Sequence, residues 1–288
     1  MNVKIPNFNT KKEMFDFIVS NKSILITDKK CKLKVCDTVT YNNIKSVEKK
    51  FAIKTAQNGM CKDCNQEPCV CEVEEVESLV VTSVINTTNI IDSHDDVHIK
   101  GIWNKSLKEN KNIYLLQEHD MSFKGIIADN VNAYVSDMDW SALGYNSFGK
   151  TQALIFESNI YEDRNKFMFE QYLNGYVKNH SVGMQYVSLY LCVNDKDYKE
   201  EFANWNKYIA EVVNRTDAED NGFFWAITEA KVIEGSAVVV GSNPITPTLE
   251  TIEITEPVNA TPKSIVKPDD STLQKENVIN SINNFKFV

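Results

Sequence analysis

A serine and a histidine in separate parts of the chain are of the residue types that nucleophilic catalysis requires. Ser181 lies in NHSVGMQY (179–186), where a polar stretch becomes a run typical of a strand, and His119 is close to the end of the apolar stretch IYLLQEHD (113–120). A neutral serine is a poor nucleophile, so it needs a base, a group that orients the base, and donors for the oxyanion. The two residues are 62 positions apart (181 − 119), so only the fold can bring them together.

The other three histidines are weaker candidates for the base. His180 adjoins Ser181, but neighbouring side chains of a strand point to opposite faces, so it is poorly placed to act on that hydroxyl. His94 and His98 lie among carboxylates in IIDSHDDVHIKG (90–101). A divalent-metal site is one interpretation of that segment, and a polar loop before a strand or helix is the interpretation that we favour.

Cysteine spacing predicts a metal site near the N-terminus. The segment CKDCNQEPCVC (61–71) places four thiols on one short loop: Cys61, Cys64, Cys69 and Cys71. Four thiolates can bind zinc tetrahedrally, and such a closed site would be structural and not catalytic. The spacing favours zinc over free thiols, although the loop is cramped and Cys31 and Cys36 could replace one pair. Cys192, in an apolar run, is expected to be a buried small residue.

The composition is that of a soluble globular protein. Hydrophobic residues make up 42% and charged residues 25% of the 288 residues, which is ordinary for this class. The net charge of -9 argues against nucleic acid as a partner, because phosphate contacts need clustered Lys and Arg. No run approaches the roughly 18–20 apolar residues of a membrane span, and the first residues lack the apolar region of a secretory signal. We therefore expect no membrane association and a cytoplasmic location, where cysteines stay as thiols or bind metals.

Composition also divides the chain into three zones. Residues 1–77 form a Lys- and Cys-rich extension, 78–249 a denser central domain, and 250–288 a tail whose Thr, Glu, Pro, Asn and Lys content is typical of a flexible segment. The central domain alternates β-branched runs with turn signals, and helices are predicted at 161–179 and 197–215. The pattern indicates the α+β class, built mainly on strands.

Four segments of the central domain match one known family in order. They are VVTSVINTTNIIDSHDDVHIKGIWNKSL (80–107), IYLLQEHD (113–120), NHSVGMQY (179–186) and ITEAKVIEGSAVVVGSNPITPT (227–248). Together they resemble the opening strand, the apolar run ending in His-Asp, the Ser-x-Gly strand start and the closing Glu-x-Ser strand of the prohead (capsid maturation) serine proteases of tailed phages. That family is related in fold to the herpesvirus assemblin proteases. The resemblance covers roughly residues 78–250, and this chain departs from the family by an inserted helix and loop.

The resemblance implies a fold and two catalytic roles. It implies an α+β domain with a mainly antiparallel, barrel-like β core and flanking helices. It assigns Ser181 as the nucleophile and His119 as the general base, since a neutral imidazole can accept the hydroxyl proton at cytoplasmic pH. Backbone N–H groups of Val182 and Gly183 are the expected oxyanion donors, because glycine allows a substrate carbonyl to approach closely.

The third catalytic residue has several candidates. Glu234 occupies the family's Glu-x-Ser position and is the one that we favour for orienting the base. Asp120 adjoins the histidine in sequence and is the local rival. The herpesvirus relatives use a second histidine, so His94 and His98 also stay open.

The resemblance implies a function in virus assembly. A protease of this family would cut segments of the major capsid protein and the scaffold, and also itself, inside the immature phage capsid in the host cytoplasm. It would need no cofactor for catalysis, and related proteases often form homo-oligomers. The alternative is a catalytically inactive capsid-associated protein, structural or scaffolding, that retains the protease fold. A third hypothesis makes the cysteine-rich extension a zinc module that recruits a partner.

Overall fold

The secondary structure is known for most of the central domain and for part of the extension. A computed structural model describes residues 6–31, 76, 78–110, 112–129 and 131–254. Within them the helices are α1 (Lys11–Ser20), α2 (Lys22–Cys31), α3 (Asn104–Glu109), α4 (Lys166–Leu173), α5 (Lys199–Tyr208) and α6 (Arg215–Asn221), with 3₁₀ turns at Trp140–Leu143 and Ile209–Glu211. The strands are β1 (Ser78–Thr87), β2 (Asp96–His98), β3 (Tyr114–Gln117), β4 (Ile126–Ala128), β5 (Val131–Asp139), β6 (Lys150–Tyr161), β7 (Asn179–Val193), β8 (Phe223–Val238) and β9 (Thr248–Ile254).

These elements form two mostly antiparallel sheets, so the predicted α+β class is confirmed. One sheet has four strands in the order β5-β6-β1-β9, and the other has five strands around β8. The barrel-like closure expected from the family resemblance is not seen: in the described ranges the strands make two separate sheets and no closed barrel.

The five-stranded sheet is organised by the long strand β8. β7 pairs with it antiparallel along nearly its whole length, from Asn179↔Val238 to Val193↔Phe223. On the other edge of β8, β2 pairs parallel with residues 225–227 and β3 pairs parallel with residues 234–237. β4 then pairs with β3. The two edges of β8 therefore bring the predicted serine strand and the predicted histidine strand to opposite sides of one central strand.

The two sheets pack against each other through an apolar core. Gly235 of β8 faces the other sheet so closely that a Cβ at this position would lie 2.5 Å from Phe156 and 3.1 Å from Ile85. Both of those side chains are fully buried. Because side chains alternate along a strand, the neighbours Glu234 and Ser236 must lie on the opposite face of β8, away from this core.

The N-terminal extension contributes to the same core. Thr10 and Glu13 predict a capping box for a short helix, and α1 begins there with the Glu13 N–H donating to Thr10 Oγ1 at 3.2 Å. Phe15 and Ile18 of α1 and Leu25 of α2 are buried among residues of both sheets. Residues 11–31 thus pack as part of the central domain. None of the helices in the described ranges is long and apolar enough to cross a membrane.

Several element boundaries differ from the predicted ones. The helix expected over 161–179 is shorter, because Asn165 caps its start by accepting from the Met168 N–H and Gly175 follows its end with φ 66°. The structured chain also continues past the predicted tail boundary at 250. There β9 runs to Ile254, which pairs with the first residue of β1.

Candidate active site

One face of the β7–β8 pair carries the predicted serine. In the antiparallel register Ser181 lies opposite Ser236, and Gly183 lies opposite Glu234. Directly opposite residues of an antiparallel pair share a face, so all four lie on the face turned away from the core. Ser181 is 5% exposed and Glu234 is 1% exposed. The serine is therefore set into the surface of the sheet and does not project from it.

His119 reaches this face through an unusual turn. It follows β3, and both Glu118 (φ 49°) and His119 (φ 60°) have left-handed backbone conformations, which cost non-glycine residues free energy. Two hydrogen bonds hold the turn on β8. The Glu118 N–H donates to the Ala237 carbonyl at 3.0 Å, and the His119 N–H donates to Ser236 Oγ at 3.1 Å.

The turn places the imidazole against Glu234. His119 Nδ1 lies 2.7 Å from Glu234 Oε1, and the Ser236 hydroxyl donates to the other carboxylate oxygen, Oε2, at 2.6 Å. A carboxylate accepts hydrogen bonds, so Nδ1 carries the proton and Nε2 presents its lone pair when the imidazole is neutral. That arrangement leaves Nε2 able to accept a proton, as a general base must.

Nε2 of His119 is buried and has no hydrogen-bond partner in the part of the chain that the structure describes. Buried polar atoms without a partner are uncommon and require an explanation. Ser181 is on the same face, one strand away across β8, but the two side chains are not hydrogen-bonded. Such a bond is often long without substrate and forms in the complex.

Asp120, the local rival, is turned to a different partner. Its Oδ1 accepts from the Ser122 N–H and its Oδ2 from the Ser122 hydroxyl, both at 2.8 Å. These bonds hold the pKa of Asp120 below its ordinary value. The structure thus hydrogen-bonds Glu234, and not Asp120, to the ring of His119.

His98 lies at the other end of the sheet. β2 pairs with residues 225–227 of β8, so the seven residues to Glu234 separate His98 from His119 by about 23 Å along the strand. His98 Nε2 is 3.2 Å from the hydroxyl of Tyr186, and burial lowers the pKa of His98 to about 4. Neither His98 nor His94, which precedes the same strand, is brought to His119.

His180 has partners of its own. Its ring nitrogens lie 3.0 Å from the Tyr172 hydroxyl and 3.1 Å from the Thr246 carbonyl oxygen, and the residue is fully buried. The sequence-based expectation that it is poorly placed to act on Ser181 agrees with this geometry.

The structure gives a reason for glycine at position 183 that the sequence did not indicate. A Cβ at this position would lie 2.7 Å from Glu234 Cδ and closer still to Oε1, so a side chain here would displace the carboxylate. Room for Glu234, and not only the approach of a substrate, explains the glycine.

Two backbone N–H groups beside Ser181, those of His180 and Val182, point away from β8. The N–H of His180 donates away from β8, to the Thr246 carbonyl at 3.1 Å. Because successive N–H groups alternate between the two edges of a strand, the N–H of Val182 points to that same edge. Of the two predicted oxyanion donors, Val182 is therefore the one directed out of the sheet.

The predicted zinc ligands cannot be compared with the structure. Cys61, Cys64, Cys69 and Cys71 lie outside the described residues, as does Cys36. Cys31 is an exposed free thiol, and Cys192 is buried as predicted; burial raises the pKa of its thiol. Within the described residues, no group of three or more His, Cys, Asp or Glu side chains could hold a metal ion.

Ser236 is the site residue that sequence reasoning missed. It joins the His119 backbone to the Glu234 carboxylate and lies opposite Ser181. The Glu-x-Ser spacing points to it, since in a strand this spacing puts both side chains on one face. In the sequence analysis the same spacing supports only the family resemblance and the choice of Glu234.

Comparisons with known proteins add no assignment. No protein-family model, no curated protein and no solved structure matches this chain.

Proposed function

We propose that the chain is a serine endopeptidase of the phage prohead-protease type. The observation that carries the proposal is the Glu234-bound His119 on the face that holds Ser181: its Nε2 is buried and has no hydrogen-bond partner among the described residues. The ordered resemblance of four segments supplies the family. Its substrates would be segments of the capsid and scaffold proteins, cut inside the immature capsid in the host cytoplasm, where confinement raises the effective concentration.

The proposed chemistry assigns one step to each group. The Ser181 hydroxyl attacks the peptide carbonyl while its proton passes to His119 Nε2. Glu234 stabilises the imidazolium that forms, and the Val182 N–H donates to the oxyanion. Collapse of the tetrahedral intermediate transfers the proton to the leaving amine and leaves an acyl-enzyme. Water, deprotonated by the same imidazole, then releases the acid and restores the serine.

The fold assignment is part of the proposal. Support comes from the mainly antiparallel sheets and from the order of the four segments. It also comes from the pairing of β7, which carries Ser181, with β8, which carries the Glu-x-Ser segment. The proposal has to accommodate two packed sheets in place of the barrel-like core that the family implies.

The alternative function is an inactive capsid-associated protein that retains the protease fold. One observation favours it: no hydrogen bond joins Ser181 to His119. In active enzymes without substrate the nucleophile and base are often also too far apart for a hydrogen bond, so a measurement of activity is needed to distinguish the two functions.

Intact-mass spectrometry over a time course tests the proposal. The native chain, Ser181→Ala, His119→Gln and the control Ser188→Ala, a serine of the same strand far from His119, would be compared alone and with the phage's capsid and scaffold proteins. We expect defined cleavages by the native and control chains only. Intact proteins in every mixture would instead support the inactive alternative.

A further inference from the structure

Large apolar side chains are exposed on both sides of the candidate active site. Phe123 is 86% and Met121 57% exposed on the loop after His119, while Tyr176 is 66% and Val239 78% exposed beyond the other end of the site. Soluble proteins rarely leave such groups together in water, and clusters of them mark binding sites. They line two clefts.

The first, which we call the Glu234 cleft, adjoins the catalytic carboxylate. It has a volume of about 450 Å³ and is lined by Glu234 and by apolar side chains that include Tyr114, Leu116, Met121 and Phe123. Tyr114 and Leu116 pair with Glu234 and Ser236 in the parallel register. The cleft therefore opens on the same face of the sheet as Ser181.

The loop that forms this cleft is fixed in place. Arg164 donates to both carboxylate oxygens of Asp129 and to the carbonyl of Phe123 at 3.2 Å. Asp120 and Ser122 brace the turn before it. Because these hydrogen bonds hold the loop backbone in place, Phe123 is exposed on a well-defined surface.

The second, the Asn179 cleft, lies at the other end of the site. Its volume is about 310 Å³, and it is lined by Asn179, Glu118, Phe167, Tyr176 and Val239 among others. Asn179 and Val238, which also line it, are a cross-strand pair two residues before Ser181 and two after Ser236. The cleft therefore comes within two residues of Ser181 along β7, on the side of the serine away from Gly183 and Glu234.

The two clefts are spaced along β8. On β8 the first is lined by Lys231, Ile233 and Glu234 and the second is lined by residues 237–238, with Val239 just beyond the strand, and Ser236, opposite Ser181, lies between them. These two sets of residues are centred five to six positions apart in the chain, or about 18 Å along an extended strand. An extended polypeptide crossing Ser181 would therefore reach both clefts at once.

We infer that the site takes polypeptides with a large apolar residue on each side of the cut bond, the two about four to six positions apart. One side chain enters the Glu234 cleft and the other the Asn179 cleft. Each cleft has room for a large aliphatic or aromatic side chain, and mostly apolar linings of this kind bind apolar groups. The inference rests on the proposed endopeptidase function and adds its substrate class.

The test is a cleavage profile on peptides from a denatured protein digest. New termini formed by the full chain, and absent with Ser181→Ala, would be sequenced by mass spectrometry. Phe123→Ser and Phe167→Ser each remove one cleft wall, and Phe148→Ser, which is 99% exposed and lines neither cleft, is the matched control.

We expect large apolar residues to be enriched on both sides of the cut. Phe123→Ser should lower kcat/KM about tenfold or more for such substrates and remove the preference on one side only, with Phe167→Ser acting on the other, since a lost apolar contact changes discrimination by about 10–200-fold. Cleavage without apolar enrichment, or equal effects of all three serine variants, would overturn this inference and leave the proposed function standing. The absence of any Ser181-dependent product would overturn both.

Discussion

Substitution of Gly183 by alanine tests the geometry of the candidate site without altering any side chain that is proposed to react. The added Cβ would fall 2.7 Å from Glu234 Cδ, well inside van der Waals contact, so the carboxylate has to move. The oxygen nearest to the new methyl group, Oε1, is the one that accepts from His119 Nδ1 at 2.7 Å. Gly183→Ala is therefore expected to break the bond that fixes the tautomer and orientation of the base.

The expected loss can be estimated from what that bond does. An imidazole without its orienting carboxylate typically loses about 10⁴ in kcat, and the loss of one oxyanion donor costs about 10²–10³. Because Glu234 moves but is not removed, we expect Gly183→Ala to lower kcat by about 10²–10⁴ with little change in KM. A charged hydrogen bond lost in the interior should also reduce the free energy of unfolding by about 2–3 kcal/mol.

A double-mutant cycle identifies the route of the effect. Rates of Ser181-dependent cleavage would be measured for Gly183→Ala, Glu234→Gln and the double variant. If the methyl group acts by displacing the carboxylate, the double variant is no slower than Glu234→Gln alone. Additive losses, or full activity of Gly183→Ala, would refute the reasoning.

Gly235→Ala is the matched control, because Gly235 follows Glu234 on β8 and belongs to the neighbouring cross-strand pair. Its Cβ would press on Phe156 at 2.5 Å, on the core face, and overpacking of a core typically costs about 1–3 kcal/mol. We expect this variant to lose stability while its folded fraction keeps the native kcat. An equal loss of kcat would mean that the Gly183→Ala result reports general damage.

Three further predictions concern other parts of the chain. Lys29→Met should lower the free energy of unfolding by about 3–5 kcal/mol in urea titrations, because fully buried Asp96 loses the ammonium 2.5 Å away. Lys100, which forms an exposed ion pair, is the control, and Lys100→Met should change the free energy of unfolding by less than about 1 kcal/mol. Burial lowers the pKa of His98 to about 4, below the roughly 6.5 of an unfolded chain. The unfolded state therefore binds the proton first, and stability contributed by this residue is lost as pH falls from about 6.5 to 4, by about 3 kcal/mol; parallel pH curves for native protein and His98→Gln would contradict this. The cysteine segment 61–71 should hold about one zinc ion per chain that a chelator removes, and metal analysis finding none after growth with zinc would favour free thiols.

The longer strands of the central domain were predictable from sequence, whereas the short strands β2 and β4, the last strand β9 and the strand partners were not. Runs such as VGMQYVSLYLCV have the β-branched and aromatic content of strands, and β7 and β8 form where the sequence predicts them. Sequence pattern alone does not state which edge of β8 receives β2 and β3, or that both pair parallel to it. Those pairings depend on the whole core, and they decide which histidine meets Glu234.

The helices show where local signals are incomplete. The region expected to be one helix over 197–215 is α5 followed by a 3₁₀ turn and then α6. Trp205 and Tyr208 near the end of α5 and Ile209 at the start of the turn are buried in one cluster with residues of the sheet.

The candidate site was only partly accessible to sequence reasoning. Ser181, His119 and Glu234 were assigned through a family resemblance, and the structure brings the last two into contact. The roles of Ser236 and Gly183 depend on register, since each matters only because of the residue opposite to it. A single residue of slip would move each to the other face, so the Glu-x-Ser spacing could place Glu234 and Ser236 on one face but no local pattern could show which residues lie opposite to them.

The backbone at His119 gives a reason to regard the arrangement as functional. Glu118 and His119 are two consecutive non-glycine residues with positive φ, a conformation that costs about 1–3 kcal/mol each. The free energy is offset by bonds from both N–H groups to β8, at Ala237 and Ser236. These bonds hold the turn on β8 and so keep the imidazole against Glu234. A Ser236→Ala variant removes one of them, and if the strain serves the site, cleavage should fall more steeply than stability.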